Sequence, residues 1–198
     1  IADKNAKPPI ELNSKSMLWK TSISAGHSSP CIWENYIYLT AFIKENSTLQ
    51  TICINRITGK IKWKQSIFPD KIEGYHPVSN AAQTSPATDG ERVYSYFGSY
   101  GVLCYDKTGN LLWDYKINVH PHRWGVSSSP ILYQEKLIVS RDIKNERYLI
   151  ALNKVNGSTI WKSDLPELNY PTPTNWATPV IYKDQIILHR SKEIAAYS

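Results

Sequence analysis

The stretch Thr58-Gly59-Lys60-Ile61-Lys62-Trp63-Lys64-Gln65-Ser66-Ile67, TGKIKWKQSI, decides the fold because the chain writes it again. It returns as TGNLLWDYKI from Thr108 and as NGSTIWKSDL from Asn156. Each copy is a short polar turn with a glycine, then a strand that carries a tryptophan. Repetition at a fixed period of 20–50 residues is the signature of solenoids and propellers. Working outward, Trp19, Trp63, Trp113 and Trp161 stand 44, 50 and 48 residues apart. A second anchor keeps step with the first. HSSP ends at Pro30, QTSP at Pro86, SSSP at Pro130 and WATP at Pro179, with spacings of 56, 44 and 49.

Between the anchors every unit has the same order. After the proline comes a short run (CIWEN, ATDGE, ILYQE, VIYKD), then an aromatic or β-branched strand (YIYLTAF, RVYSYFG, KLIVSRD, QIILHRS). A third strand follows (LQTICIN, GVLCYD, YLIALN, EIAAYS), then the turn with Gly59, Gly109 or Gly157 and the tryptophan strand. Glycine suits a turn that needs positive φ, and the alternation in RVYSY and KLIVS is the period-two mark of a strand. Four strands in about 45 residues make a propeller blade. The expectation is an all-β propeller of four-stranded antiparallel blades. Residues 1–16 form an N-terminal extension and 17–198 hold the blades: a Trp19 strand, then units at about 24–67, 80–117, 124–165 and 174–198. A single blade cannot bury both faces of its sheet, so Trp19, Trp63, Trp113 and Trp161 are expected to staple neighbouring blades together.

Ser198 falls in the register of Asn55, Asp106 and Asn153, at the end of a third strand, whereas SMLWKTSI near the start is a tryptophan strand with no blade before it. The sequence favours about four blades of a ring of seven or eight. A closed four-bladed ring and a two-fold dimer of half-rings remain alternatives. The chain opens at Ile1 without Met, as a mature or trimmed exported form would. No stretch reaches the roughly 20 apolar residues of a membrane helix.

The net charge of +6 comes from dispersed lysines without a basic run, which argues against nucleic acid. Cys31, Cys53 and Cys104 have no metal-ligand spacing and read as small buried apolar side chains. No nucleophile constellation emerges: His27 and Ser28 are adjacent on an extended chain and point opposite ways. The recurring serines mark architecture, small hydroxyls placed where strands converge.

The strings CINRITGKIKW, CYDKTGNLLW and ALNKVNGSTIW resemble the tryptophan-docking motif of the PQQ-like (quinoprotein-type, BamB-like) β-propeller repeat, over roughly residues 17–198. GHSSPCIWENYIYLTA, SPATDGERVYSYFGSYGVLCYD and SSSPILYQEKLIVSRD are similar to secreted bacterial members of unassigned function. The resemblance implies either a binding or assembly scaffold, or a quinoprotein dehydrogenase that holds PQQ beside calcium. For the second, the adjacent cysteine pair of alcohol-oxidising members is missing, and Asp70, Glu73, Asp142 and Glu167 fall at unrelated points of the repeat.

Connectors between one blade's outer strand and the next blade's inner strand converge near the axis and are the natural place for a site. Three are long: from Phe68, from Asn118 and from Pro166. They and the short SAGHSS segment carry His27, His76, Asn80, His120, His122, Arg123, Trp124 and Trp176. Eleven residues beyond each proline stand Ala41, Phe97, Arg141 and Arg190. Arg141 and Arg190 are expected to join Arg123 in a basic rim for carboxylates or sulfates; a local pair of Arg141 with Asp142 is the bland alternative. The HPH at 120–122 supplies two imidazoles, and a metal would need His76 or His27 to swing in from the neighbouring loop, so no metal site is expected. The sequence therefore favours a non-catalytic, exported binding or scaffold protein, periplasmic or associated with the outer membrane. Its partner would be an envelope protein, peptide or glycan at the axial mouth, with no cofactor. The alternative is a PQQ-dependent oxidoreductase or part of one.

Overall fold

The computed structural model describes residues 5–119, 123–143, 145–167 and 175–198. Its strands group into successive antiparallel sheets. The first sheet is β1 (Cys31–Trp33), β2 (Tyr36–Ile43), β3 (Thr48–Asn55) and β4 (Ile61–Ile67). The second is β5 (Ala87–Thr88), β6 (Arg92–Phe97), β7 (Gly101–Asp106) and β8 (Leu111–Lys116). The third is β9 (Ile131–Tyr133), β10 (Lys136–Ile143), β11 (Glu146–Asn153) and β12 (Thr159–Asp164). The fourth has three strands, β13 (Val180–Tyr182), β14 (Gln185–Arg190) and β15 (Glu193–Tyr197). Neighbours in sequence are neighbours in each sheet, and the inner strands β1, β5 and β9 lie beside one another. This is the blade architecture of a β-propeller.

The middle strands of the first three blades are buried along most of their length because both of their faces are covered. In β7, Val102 and Cys104 point to the third blade and pack with Leu137, Val139, Ile150 and Leu152. Leu103 and Tyr105 point the other way, against Phe42 and Leu49 of the first blade. Leu149, next to Ile150 in β11, faces Leu188 of the fourth blade. The period of two thus distributes one strand between two interfaces.

Two hydrogen-bonded seams run from blade to blade. At the outer edge, the Trp19 indole donates to the Arg56 carbonyl (2.8 Å), Trp63 to that of Lys107 (3.0 Å) and Trp113 to that of Lys154 (3.3 Å). Under each ring lies a turn glycine with positive φ: Gly59 at 70°, Gly109 at 95° and Gly157 at 73°. A Cβ on these residues would stand 2.6–2.8 Å from the nearest indole atom. The four tryptophans are half-buried, with the ring covered and the rim open. Trp161 lines an apolar cleft of about 310 Å³ with Leu149, Ile181, Ile186 and Tyr197. Towards the axis, the hydroxyls before the prolines form a ladder. Ser29 N–H donates to Ser85 Oγ (2.8 Å), Ser85 N–H to Ser129 Oγ (2.9 Å) and Ser129 N–H to Thr178 Oγ1 (2.9 Å).

The turns repeat as well. Asn55 Oδ1 accepts from the N–H groups of Ile57 and Thr58, and Asn153 Oδ1 from those of Val155 and Asn156. In the second blade Asp106 takes this place and accepts from Thr108 and Asn110. Those hydrogen bonds, led by the Thr108 side chain, hold its carboxyl down to about 2. The SMLWKTSI segment differs from its expectation: it is extended, but residues 17–24 pair with no strand among the described residues. Its anchor is Trp19 on the Gly59 turn, supported by Thr21 Oγ1 donating to Gly59 O (2.5 Å).

Two outcomes follow for stability. Gly109→Ala should cost about 2 kcal/mol in urea unfolding, because the methyl group meets Trp63 and the residue must hold positive φ. Asp106→Asn should match the wild type at pH 7, since Asn serves the same turn in two other blades. The depressed carboxyl stabilises the fold above the ordinary carboxylate range, and that contribution disappears as pH falls towards 2. Melting temperatures measured at pH 7 and pH 2 should therefore fall further for the wild type than for the variant.

Candidate functional site

The connectors meet on the face opposite the glycine turns. They are tied to one another rather than only to their own blades. His27 N–H donates to Ala82 O (2.9 Å), Val126 N–H to Glu73 Oε1 (3.3 Å), and the Trp176 indole to Gly125 O (3.1 Å). The Trp124 and Trp176 rings lie 5.9 Å apart at 56°, and the Arg123 guanidinium stands 5.7 Å from the Trp124 ring. These bonds link all three long connectors into a belt.

Two groups of the expected residues come together in it. His27 and Asn80 line a cleft of about 300 Å³ with Ala25, Phe42, Lys44 and Tyr75. Its aromatic wall is an edge-on pair, Phe42 and Tyr75, with centroids 5.8 Å apart. Asn80 is buried and its Oδ1 accepts from Ala82 N–H (2.8 Å), which shapes the wall. His76, exposed beside the cleft, accepts from Val78 N–H at Nδ1 (3.3 Å) and so closes the turn there. Arg123, Trp124 and Trp176 form the second group. His120 and His122 lie outside the described residues.

Arg141 and Arg190 do not form a rim. Their relative exposures are 0% and 1%, because each sits among buried apolar residues of a middle strand and turns inward to partners. Arg141 pairs with Glu146 (2.7 Å) and donates to Tyr96 Oη (3.3 Å) and Asn118 O (3.0 Å). Arg190 pairs with Asp142 (2.7 Å) and Glu193 (3.0 Å), and donates to Pro166 O (2.7 Å). The partner of Asp142 is thus Arg190 on the next blade, not its neighbour Arg141. The two arginines share one register and one task. Each bonds the carbonyl two residues beyond the preceding blade's outer strand, Asn118 after β8 and Pro166 after β12, and so fixes where a connector departs.

Sequence reasoning set Glu73 aside, yet it is 3% exposed and bridges three segments. Its N–H donates to Ser99 Oγ (3.0 Å), its Oε1 accepts from Val126, and Oε2 has no hydrogen-bond partner among the described residues. Burial pushes its carboxyl up to about 7, against the opposing pull of the Val126 N–H and Arg141. A signal was present: Gly98 and Gly125 leave room for that carboxyl, and a Cβ on Gly98 would overlap it.

A family model described as "Outer membrane protein assembly factor BamB" matches residues 70–198. This chain belongs to that PQQ-like, BamB-type propeller family. Among curated proteins, none matches by sequence. Among solved structures, BamB from Moraxella catarrhalis is similar with a TM-score of 0.61 at 13% identity, over 90% of this chain and 51% of that one. A quinohemoprotein alcohol dehydrogenase, ADHIIG from Pseudomonas putida HK5, gives 0.55 at 14% identity, over 83% and 28%. The computationally designed Ika4 protein gives 0.57 at 10% identity, over 90% and 93%. The chain therefore spans about half of the BamB and under a third of the dehydrogenase.

The described residues fit a calcium-held quinone poorly. No three His, Cys, Asp or Glu side chains among them converge to hold a metal. The buried carboxylate Asp142 and the half-buried Glu146 are matched by guanidinium groups, which already supply the positive charge a calcium ion would bring.

Removing one member of a buried pair leaves the other uncompensated. Arg190→Met should cost about 3 kcal/mol in chemical denaturation, and adding Asp142→Asn should recover part of that loss. Arg147→Ala, which removes only a 3.6 Å contact to Asp142, should cost clearly less.

Proposed function

We propose that this chain is a non-catalytic, exported binding or scaffold protein that engages an acidic partner at the axial mouth. The partner would be a peptide segment of an envelope protein or an anionic glycan. The observation that carries this reading is the division of labour among the cations. Arg141 and Arg190 are consumed inside the fold, whereas Lys44 and Arg123 stay exposed, with the polar rings of His27 and His76 and the aromatic groups Tyr75, Trp124 and Trp176 beside them. Buried ion pairs fix the connectors, so the exposed groups are held in place before a ligand arrives, which lowers the entropic cost of binding. Cations set against aromatic faces suit carboxylates or sulfates carried on a chain with apolar or sugar surfaces. Membership of a family described as an outer membrane protein assembly factor supports the cell envelope as the place of action. No helix among the described residues is long and apolar enough to cross a membrane.

The test uses two probes on the immobilised chain, a poly-glutamate peptide and a sulfated oligosaccharide, across a salt series. Binding to at least one should weaken as salt rises, and the Arg123→Ala, Trp176→Ala double variant should weaken it by about tenfold while its circular dichroism is unchanged. Failure of both probes, together with dye reduction on adding PQQ and calcium, would replace this reading with the oxidoreductase one.

A further inference from the structure

Among the described residues, Glu73 is a buried carboxylic acid that lies outside the blades' strands. It sits in the first half of the first long connector, residues 68–86. The arm before it, Phe68 to Lys71, lines one cleft with Tyr100 and Lys116, and the arm after it, Tyr75 to Asn80, lines the cleft that contains His27. Its carboxyl is clasped between Gly98 at the end of the second blade and Gly125 in the next connector, where φ is 64°. The side chain is therefore the pin through which one connector grips two other segments.

We propose that Glu73 is a proton-operated latch: protonated, it seats the connector against Gly98 and Gly125 and keeps the His27–Asn80 cleft in shape; losing the proton releases it. The proposal rests on the mouth being the binding site. The seat has one backbone donor for Oε1, and Oε2 has none among the described residues, which suits a neutral acid better than an anion. The charged and titratable groups around it are Arg141 from β10, Tyr96 from β6 and Glu146 from β11. Arg141 is already paired with Glu146 at 2.7 Å, so it only partly offsets the cost of burying a second anion. Burial pushes the Tyr96 hydroxyl up to about 12, so it stays neutral throughout.

The sign follows from the raised carboxyl. In the released connector Glu73 meets water and titrates near the ordinary value of 4.5, whereas in the seat it titrates at about 7. The latch is strongest below 4.5, weakens as pH rises between these values, and levels off above 7. Between pH 5.5 and 8.5 its opening constant should rise roughly thirtyfold.

Hydrogen exchange read by mass spectrometry, corrected for intrinsic rates, tests this on the intact chain. Protection of residues 72–83, relative to the middle strands of the blades, should drop by that factor from pH 5.5 to 8.5. In Glu73→Gln it should be independent of pH. Equal pH dependence in the two proteins overturns the latch. If Glu73→Gln fails to fold, carbon NMR of the Glu73 carboxyl in the wild type decides: a midpoint near 7 that coincides with the change in exchange supports the latch, and one below 5 overturns it. Neither readout needs a ligand, so a mouth that binds nothing would sink the proposed function and leave this result standing.

Discussion

A four-stranded sheet with apolar residues on both faces has no stable existence alone, and the rest of this structure follows from that. At roughly 25 cal/mol per Å² of apolar surface, leaving one face of a blade in water forfeits more than the marginal stability of a domain. Each blade must therefore be covered twice. The neighbour that covers it is the next repeat in the chain, as the opposite faces of β7 demonstrate with Leu103 against the first blade and Val102 against the third. Burial alone does not set the angle or height at which two blades meet. The indole over the glycine turn fixes one edge of the interfaces between the first and second and the second and third blades, and the hydroxyl ladder fixes the other near the axis. Between them, two directional contacts turn a non-directional force into a defined rotation from blade to blade.

That rotation is what aims the connectors. Chain leaving β8 or β12 could wander, but a buried guanidinium from the next blade takes hold of its second carbonyl. An ion pair in such a position contributes little net stability compared with apolar packing, because desolvation offsets most of the attraction. Its benefit is geometric. Arginine offers several donors in one plane, so Arg190 can hold Asp142, Glu193 and Pro166 O together and join two blades to a loop with one side chain. The exposed Arg123, by contrast, stands over the Trp124 ring at 5.7 Å.

The architecture was legible because every part of it repeats. Tryptophan spacing, turn glycines and the residues before the prolines each occur in several copies, and the hydroxyls that recur as architecture are those that form the ladder. The site was less legible, for the same reason. Arg141 and Arg190 were placed at the right end of the right strand, but register cannot say whether a guanidinium turns outward or inward. Their apolar neighbours in KLIVSRDI and QIILHR were the hint, since a charge inside an apolar run must find buried partners. Glu73 was set aside because the two glycines that make room for its carboxyl, Gly98 and Gly125, are distant from it in sequence. The extended segment around Trp19 shows the converse: its motif placed the indole on Gly59 but could not show that no strand pairs alongside.

One register shows how function could be graded around such a ring. Eleven residues past the proline, the four blades carry Ala41, Phe97, Arg141 and Arg190. In the first two the position is apolar, and Phe97 packs with Ile67 and Ile72, so the root of the connector after β4 is met by apolar contact where the other two meet an arginine. In the last two it is cationic, and the connectors after β8 and β12 are held by directional bonds. Apolar contact tolerates sliding more readily than a fork of hydrogen bonds does. The first connector is thus the one without an arginine at its root, and it is also the one pinned by Glu73. A titratable pin has most leverage on a segment whose root is not held by a fork of hydrogen bonds, which is why a latch belongs on this connector rather than on the other two.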